Sequence, residues 1–130
     1  MKFSHTILYV PDVSASLAFF EKAFGFTKRF LHEGGDYGEL DTGETILAFA
    51  AHALGAMNLP AGYVEASSSP KPLGVEVAFT TPSIALDHAK AVAAGATEVK
   101  APETKPWGQV VSYLRCPDGT LVALGSPMGD

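Results

Sequence analysis

The sequence lacks several features that would place a protein in a class at once. It contains a single cysteine, Cys116, so it cannot form an internal disulfide, which is neutral or mildly favourable evidence for a reducing compartment. No apolar run approaches the roughly 20 residues that a membrane-spanning helix needs. The N-terminal residues do not have the pattern of a signal peptide either. We therefore expect a soluble protein of the cytoplasm.

Positive charge is also scarce. Lys and Arg number 9 against 14 Asp and Glu, which gives a net charge of -5. Nucleic acids and anionic membranes are bound mainly through Lys and Arg, so both are disfavoured as partners. The sequence contains no glycine-rich phosphate loop and no zinc-finger spacing. A small molecule is the partner we expect, and the net charge is compatible with a cationic one.

The chain contains a weak internal repeat. Ser4–Asp12 and Val75–Ser83 each read as a strand that ends at a proline and leads into a helix. When the two segments are aligned, His5 falls opposite Glu76. This repeat predicts two copies of one structural unit.

The first unit, over residues 1–50, has the pattern strand–helix–strand–strand–strand. Its helix is predicted by apolar residues at helical spacing from Val13 to Phe24, and Gly25 ends it. Glycine-containing reversals between the last three strands favour an antiparallel meander. The predicted strands are Phe3–Val10, Phe26–His32, Tyr37–Asp41 and Thr45–Ala50.

The second unit, over residues 74–130, repeats this order. A strand over Val75–Thr81 precedes a helix that Ser83 caps and that runs to Ala94. The remaining predicted strands are Thr97–Lys100, Gln109–Arg115 and Leu121–Gly125. The sequence thus predicts one α+β domain over residues 1–130, built from two tandem βαβββ units.

The segment at residues 51–73 connects the two units and is rich in Gly, Pro and Ser. A connection of this length is either functional or mobile. It contains a possible helical turn near Ala51–Met57, and Tyr63 and Met57 are candidates to cover the mouth of a pocket.

The motifs of the chain resemble the vicinal-oxygen-chelate superfamily, which includes glyoxalase I, extradiol dioxygenases, fosfomycin-resistance enzymes and bleomycin-resistance binding proteins. The resemblance covers essentially the whole chain and rests on Ser4–Asp12, Phe19–Phe26, Ala91–Ala96 and Pro106–Leu124. It implies that the two units form a curved mixed sheet in the shape of a cup, with the helices on its outer face. It also implies a homodimer whose cup is completed across the interface.

In metal-dependent relatives, each unit supplies one ligand from its first strand and one, usually Glu, from its last strand. The resemblance assigns the first-strand positions to His5 and Glu76. The usual Glu positions are occupied by Ala123 and by Ala48, or by Leu47 if the alignment shifts by one residue. One imidazole and one carboxylate would hold a divalent ion only weakly. We therefore expect no tight metal and no other cofactor, as in the bleomycin-resistance type.

A further ligand remains an open alternative. Glu39, His32, His52 or the connection would have to supply it.

The resemblance places His5 and Glu76 in the same cup, where they are candidates for polar anchors of a ligand or for an acid–base pair. Alternatively, they satisfy each other in an unused cavity. Trp107 is a candidate aromatic wall or a packing anchor. Tyr37 and Glu39 share one face of a strand, which either lines the first unit's side of the cup or forms a solvated edge.

These observations favour a metal-independent small-molecule-binding protein of the glyoxalase/bleomycin-resistance type, acting as a homodimer. Binding is favoured over catalysis, and an enzyme would be of the glyoxalase or dioxygenase type. Two alternatives stay open. One is a metal-dependent lyase, isomerase or dioxygenase with a non-standard ligand set, and the other is a non-catalytic interaction subunit with a vestigial pocket.

Overall fold

A computed structural model describes residues 1–128, and the first unit has the predicted order of elements. Its helix α1 is Val13–Phe24, between strand β1 and the three remaining strands. The strands are β1 (His5–Val10), β2 (Thr27–Leu31), β3 (Tyr37–Asp41) and β4 (Ile46–Ala51).

The connection and the second unit follow. The connection contains the short helix α2 (His52–Asn58) and a 3-10 turn at Ala66–Ser68. The second unit comprises β5 (Glu76–Thr80), α3 (Ile84–Ala94), β6 (Thr97–Thr104), β7 (Val110–Arg115) and β8 (Leu121–Gly125). The prediction of two tandem βαβββ units in an α+β protein is confirmed. The predicted end of the second unit at residue 130 lies outside the described residues.

Each unit builds one four-stranded mixed sheet. The strand orders are β1-β4-β3-β2 and β5-β8-β7-β6. The outer pairs β1·β4 and β5·β8 are parallel, whereas the other neighbours are antiparallel, as the meander prediction requires. The register places Ala48 opposite both Ile7 and Glu39. Leu47 lies on the other face and is buried in the core, so Ala48 is the residue that shares a face with Glu39.

The core lies between the sheets and the two long helices. α1 packs on β2, β3 and β4, α3 packs on β6, β7 and β8, and the two helices contact each other. Phe79 of β5 joins the units, because its ring lies 5.2 Å from that of Phe24 and 4.7 Å from that of Phe26. Within residues 1–128, no helix is long and apolar enough to span a membrane.

The two long helices begin differently. Asp12 caps α1, because its Oδ1 accepts a hydrogen bond of 3.0 Å from the Ala15 N–H. Ser83 occupies the corresponding position before α3, but its hydroxyl makes no capping hydrogen bond. Thr81 Oγ1 accepts from the Ser83 N–H at 3.1 Å, and its hydroxyl donates to Asp87. Ser83 is thus the N-cap residue, as predicted, but without the side-chain hydrogen bond that is typical of a cap.

Strand β6 extends further than predicted, to Thr104 rather than Lys100. The sequence pattern breaks at Pro102, which has no N–H to donate. A proline is tolerated on an edge strand, and β6 is the edge of its sheet. Register irregularities on either side of Lys100 accommodate the break.

The connection is packed against the first unit through Tyr63. Its ring stacks on that of Tyr9 at 4.9 Å, and its hydroxyl lies 2.7 Å from His52 Nδ1. The Tyr63 ring also presses on Gly55, where an added Cβ would overlap it. Only a glycine at position 55 leaves room for this contact.

Arg115 and Gly119 hold the other end of the connection against the second unit. The Arg115 guanidinium donates to the carbonyls of Ala66 and Ser69 at 2.8 and 2.7 Å. Gly119 has φ +93°, and an added Cβ would overlap the Ala66 carbonyl. The connection is thus packed against both units rather than extending freely between them.

Candidate functional site

The candidate site is centred on Glu39 in the middle of β3. Glu39 is buried with 6% of its surface exposed, although a carboxylate is seldom buried without partners. The Tyr37 hydroxyl, on the same face of β3, donates a hydrogen bond of 2.6 Å to Glu39 Oε2. The two residues that the alternation of β3 predicts to share a face are therefore in direct contact.

His5 reaches the same carboxylate from β1. Its Nε2 lies 3.4 Å from Glu39 Oε2, and its Nδ1 lies 2.8 Å from Ser4 Oγ. Strand β4 runs between the two residues and places Ala48 opposite Glu39. A methyl group at this position leaves the space in which the imidazole and the carboxylate meet. A longer side chain there would compete for that space.

Arg29 is the third neighbour of Glu39. Its Nε lies 3.5 Å from Glu39 Oε1. The residue sits at a register shift between Lys28 and Phe30, where β2 has one residue more than β3. Such bulges re-aim side chains. Here the bulge places Arg29 beside the carboxylate, while 56% of its side chain remains exposed.

The Tyr37 hydroxyl stays protonated, and so remains a hydrogen-bond donor, over a wide pH range. Burial raises the pKa of its hydroxyl to about 12, and the hydrogen bond to Glu39 and the negative charge of that carboxylate act in the same direction. Because Glu39 can only accept when it is ionised, the arrangement consists of one buried acceptor surrounded by three donors.

An apolar pocket of about 180 Å³ lies further along β1. It begins at Ile7, two residues from His5 on the same face of the strand, and continues to Tyr9. The connection lines it with Tyr63, Val64 and Leu73, and the second unit contributes Val77 and Leu121 among others. Tyr63 thus lines this pocket, whereas Met57, the other candidate of the connection, is exposed and does not line it.

Glu76 does not join this cluster. It is exposed at the start of β5, opposite Leu121, and lines an open groove with Thr6 and Glu44. Within residues 1–128, no ion pair connects Glu76 to His5. The carboxylate that meets His5 in the chain is therefore Glu39 and not Glu76.

Trp107 lies in the turn between β6 and β7. Its side chain is 60% exposed, and its Nε1–H donates to Gln109 Oε1 at 3.0 Å. Its contact with a ligand stays a prediction.

The residues present do not fit a catalytic metal. Such an ion usually needs three protein ligands, and no group of three or more His, Cys, Asp or Glu side chains is suitably arranged anywhere in residues 1–128. His5 and Glu39 could supply two metal ligands, and Tyr37 and Arg29 already contact the Glu39 carboxylate. Ala48 and Ala123, at the usual Glu positions, add none.

A second histidine–carboxylate pair lies away from this face. His88 of α3 is buried, with its Nδ1 2.8 Å from Ser112 Oγ and its Nε2 2.7 Å from Glu98 Oε2. Ser112 has no exposed surface. This histidine is a packing residue whose two ring nitrogens both have partners. Burial also raises the pKa of the Cys116 thiol, with the Asp118 charge as a second cause, so this cysteine is a structural residue.

Sequence reasoning missed Arg29 and Ser4. A signal for Arg29 existed, because Lys28-Arg29-Phe30-Leu31 places two charged residues before two apolar ones and so breaks the period of a strand. Ser4 gave no such signal, since it precedes β1 and its contact with His5 depends on side-chain rotation.

Comparisons with known proteins agree with this architecture. Solved structures of similar fold include a glyoxalase/bleomycin resistance protein/dioxygenase family enzyme from Burkholderia phytofirmans PsJN, at 24% identity and TM-score 0.80, with 98% of this chain and 100% of that chain covered. A glyoxalase-related enzyme from Fulvimarina pelagi matches at 19% identity and TM-score 0.82, covering 99% and 93% of the two chains.

TioX from Micromonospora sp. ML1 is similar over 98% of this chain and 100% of its own, at 19% identity and TM-score 0.72. At these identities the likeness concerns the fold. No curated protein matches the sequence. The family model for the Glyoxalase/Bleomycin resistance protein/Dioxygenase superfamily matches residues 2–124. The chain belongs to that superfamily.

Proposed function

We propose that this protein binds a small molecule on the face that carries His5, Tyr37 and Glu39, without a tightly held catalytic metal. The contact between His5 and Glu39 carries the proposal. In this arrangement the carboxylate orients protein donors, and Ala48 stands where a metal-dependent relative would have a ligand. The donors then serve as polar anchors for the ligand. A cytoplasmic location belongs to the same proposal.

His5 is the anchor best suited to contact a ligand directly. The Glu39 carboxylate can only accept, so a neutral His5 keeps its proton on Nε2 and presents Nδ1 as an acceptor. Ser4 occupies that acceptor at 2.8 Å. Because Ser4 is exposed and precedes β1, a hydroxyl or amide of a ligand can take its place at little cost.

The apolar pocket at Ile7 and Tyr9 supports the second half of the proposal. Two of its lining residues, Ile7 and Tyr9, lie on the same face of β1 as His5, so one ligand can place a polar group at the histidine and an apolar body against the Tyr9–Tyr63 pair. Burial of apolar area contributes about 25 cal/mol per Å². Orientation by a few polar groups within apolar walls is typical of small-molecule sites.

We also propose that the protein forms a homodimer. Ile7, Phe30 and Trp107 are large apolar side chains of which 45%, 41% and 60% of the surface is exposed. A second copy placed over the open faces would cover such residues and would bring Trp107 of one copy towards the site of the other. Light scattering coupled to size-exclusion chromatography tests this, and a mass near 13.6 kDa at micromolar concentration would contradict it.

Binding is tested by thermal shift with a panel of aromatic, glycopeptide and electrophilic compounds, because a ligand of the native state raises stability. His5→Gln should remove the shift that a binding compound produces. Glu76→Gln, at the equivalent position of the second unit, is the matched control and should retain most of it. If both variants retain the full shift, the ligand lies elsewhere.

Metal content is tested on the same protein by elemental analysis. The proposal expects well under one equivalent of Fe, Mn, Ni or Zn per chain. About one tightly held ion per chain would replace the proposal with the metal-dependent lyase, isomerase or dioxygenase alternative.

A further inference from the structure

We infer that the ligand of this site carries a negative charge and that Arg29 selects it. The inference rests on the proposed function, because it names the ligand class of the same face. It concerns a residue that had no part in the sequence prediction.

The exposures of the charged groups around Glu39 support this inference. The Glu39 side chain is 7% exposed, whereas those of Arg29 and His5 are 56% and 34% exposed. The negative charge is therefore inside and the positive charge outside. A molecule that approaches this face meets a guanidinium and an imidazole before it can reach the carboxylate.

The Arg29 guanidinium has donor capacity to spare. Within residues 1–128, its ion pair with Glu39 at 3.5 Å is its one contact with an acidic side chain, and it donates no hydrogen bond of good geometry. A guanidinium carries five N–H donors in a planar fork that matches a carboxylate or a phosphate. Glu39 contacts the Nε of the guanidinium, and the two terminal nitrogens, Nη1 and Nη2, remain available to a ligand.

The other groups on this face do not reverse the preference. Tyr37 keeps its proton and donates. Asp41 lies further along the same face of β3, and its Oδ1 accepts from the Gly43 N–H in the turn at 3.4 Å. Lys28 shares the opposite face with Leu40. The net charge of -5 is compatible with a cationic ligand, but the charges at the site favour an anion.

The test is an NMR titration of the full-length, ¹⁵N-labelled protein with three probes of nearly equal shape: benzoate, benzamide and benzylammonium. Benzoate should shift the resonances of Arg29 Nε–H and of the backbone around His5 and Tyr37. We expect it to bind roughly tenfold or more tightly than the neutral and cationic probes, since hydrogen bonds to charged groups contribute on this scale.

Two variants that each remove one positive charge test whether Arg29 is the residue that binds benzoate. Arg29→Gln should weaken benzoate binding about tenfold, whereas Lys28→Gln removes the same charge one residue away and should change it less than about twofold. Arg29→Lys keeps the charge without the fork and should fall between them. Both positions are on an edge strand, and thermal melting of each of the three variants shows whether it is folded.

The outcomes separate the two claims. Equal binding of benzamide or benzylammonium at these resonances, or full benzoate affinity in Arg29→Gln, overturns the inference about charge and leaves the proposed function standing. Absence of shifts around His5 and Tyr37 with all three probes overturns both.

Discussion

The two units share a backbone but carry different chemistry on equivalent positions of their sheets. In the first unit, His5 and Glu39 meet across Ala48 at 3.4 Å. In the second unit, the equivalent positions hold Glu76 and Tyr113, on either side of Ala123. No such contact forms there within residues 1–128. The sheet face of the first unit therefore carries a polar cluster, whereas the equivalent face of the second unit has the same strand arrangement without such a cluster.

The second unit does contain a histidine and a glutamate in contact, but on its helix-packed side. His88 bonds to Glu98 and to Ser112, which has no exposed surface. The same residue types thus form an accessible cluster in one unit and a structural network in the other. The sheet face on which a histidine–glutamate pair lies, rather than the identity of its residues, therefore determines whether the pair can contact a ligand.

The largest difference between the units should appear in their β-turn glycines. Gly119→Ala would press a methyl group on the Ala66 carbonyl at a φ of +93°, and should reduce the free energy of unfolding by about 4 kcal/mol, from strain and overpacking together. Gly43→Ala has φ +111° with open space around it and should cost about 1 kcal/mol. Urea denaturation measures both, and equal losses would mean that the connection does not rest on Gly119.

The two histidines should differ almost as much. His88→Ala leaves Ser112 without its partner in the core and creates a cavity, so it should cost about 3 kcal/mol. His5→Ala lies on the open face and should cost less than about 0.5 kcal/mol. Chemical denaturation of the two variants checks this. A large loss for His5→Ala would make the exposed cluster a structural element.

Restoring the family's glutamates should also separate the units. Ala48→Glu would place a carboxylate beside His5 and Glu39, and should destabilise the metal-free protein by about 2 kcal/mol because a buried charge is added. It should also create a third ligand and hence a measurable affinity for Mn²⁺ or Ni²⁺. Ala123→Glu faces Tyr113 and should gain no comparable affinity.

Isothermal titration with the metal alone decides between these outcomes. Wild-type protein that binds the ion as tightly as Ala48→Glu would show that two protein donors suffice, contrary to our fit of the residues to a metal.

The smallest effect should come from the Tyr37 hydroxyl. Tyr37→Phe removes its hydrogen bond to Glu39 and should cost about 1 kcal/mol at neutral pH. The pKa of Tyr37 is about 12 in the folded protein and 10.0 ordinarily, so its stabilising effect is complete below pH 10 and is lost as the pH rises towards 12.

Tyr37→Phe should therefore lose stability less steeply than wild type between pH 10 and pH 12. Tyr113→Phe, in the second unit, is the reference for a tyrosine outside the cluster. If the free energy of unfolding falls equally steeply with pH in wild type and in Tyr37→Phe, the Tyr37 hydroxyl does not stabilise the protein in this way.

Local chemistry made the fold predictable from the sequence. Asp12 and Gly25 define α1 because one supplies an oxygen to the first turn and the other adopts φ 78°. Where the prediction failed, the cause was tertiary. β6 continues past Lys100 because an edge strand tolerates Pro102.

The site was only partly predictable for a related reason. Alternation along β3 suffices to put Tyr37 and Glu39 on one face, since it is a property of a single strand. The contact between His5 and Glu39 depends on two strand registers at once. The role of Arg29 depends on where a bulge falls. Pairing partners and irregularities of register are not local properties, and spacing alone does not determine them.

The anchoring of the connection has a consequence for how copies of this chain can assemble. Exchange of units between two chains requires a hinge that can straighten, and the segment between the units is where that hinge would lie. Tyr63 packs this segment on Tyr9 of the first unit, and Arg115 of the second unit donates to its Ala66 and Ser69 carbonyls. Exchange of units would have to break these contacts first, so they oppose the formation of a swapped dimer.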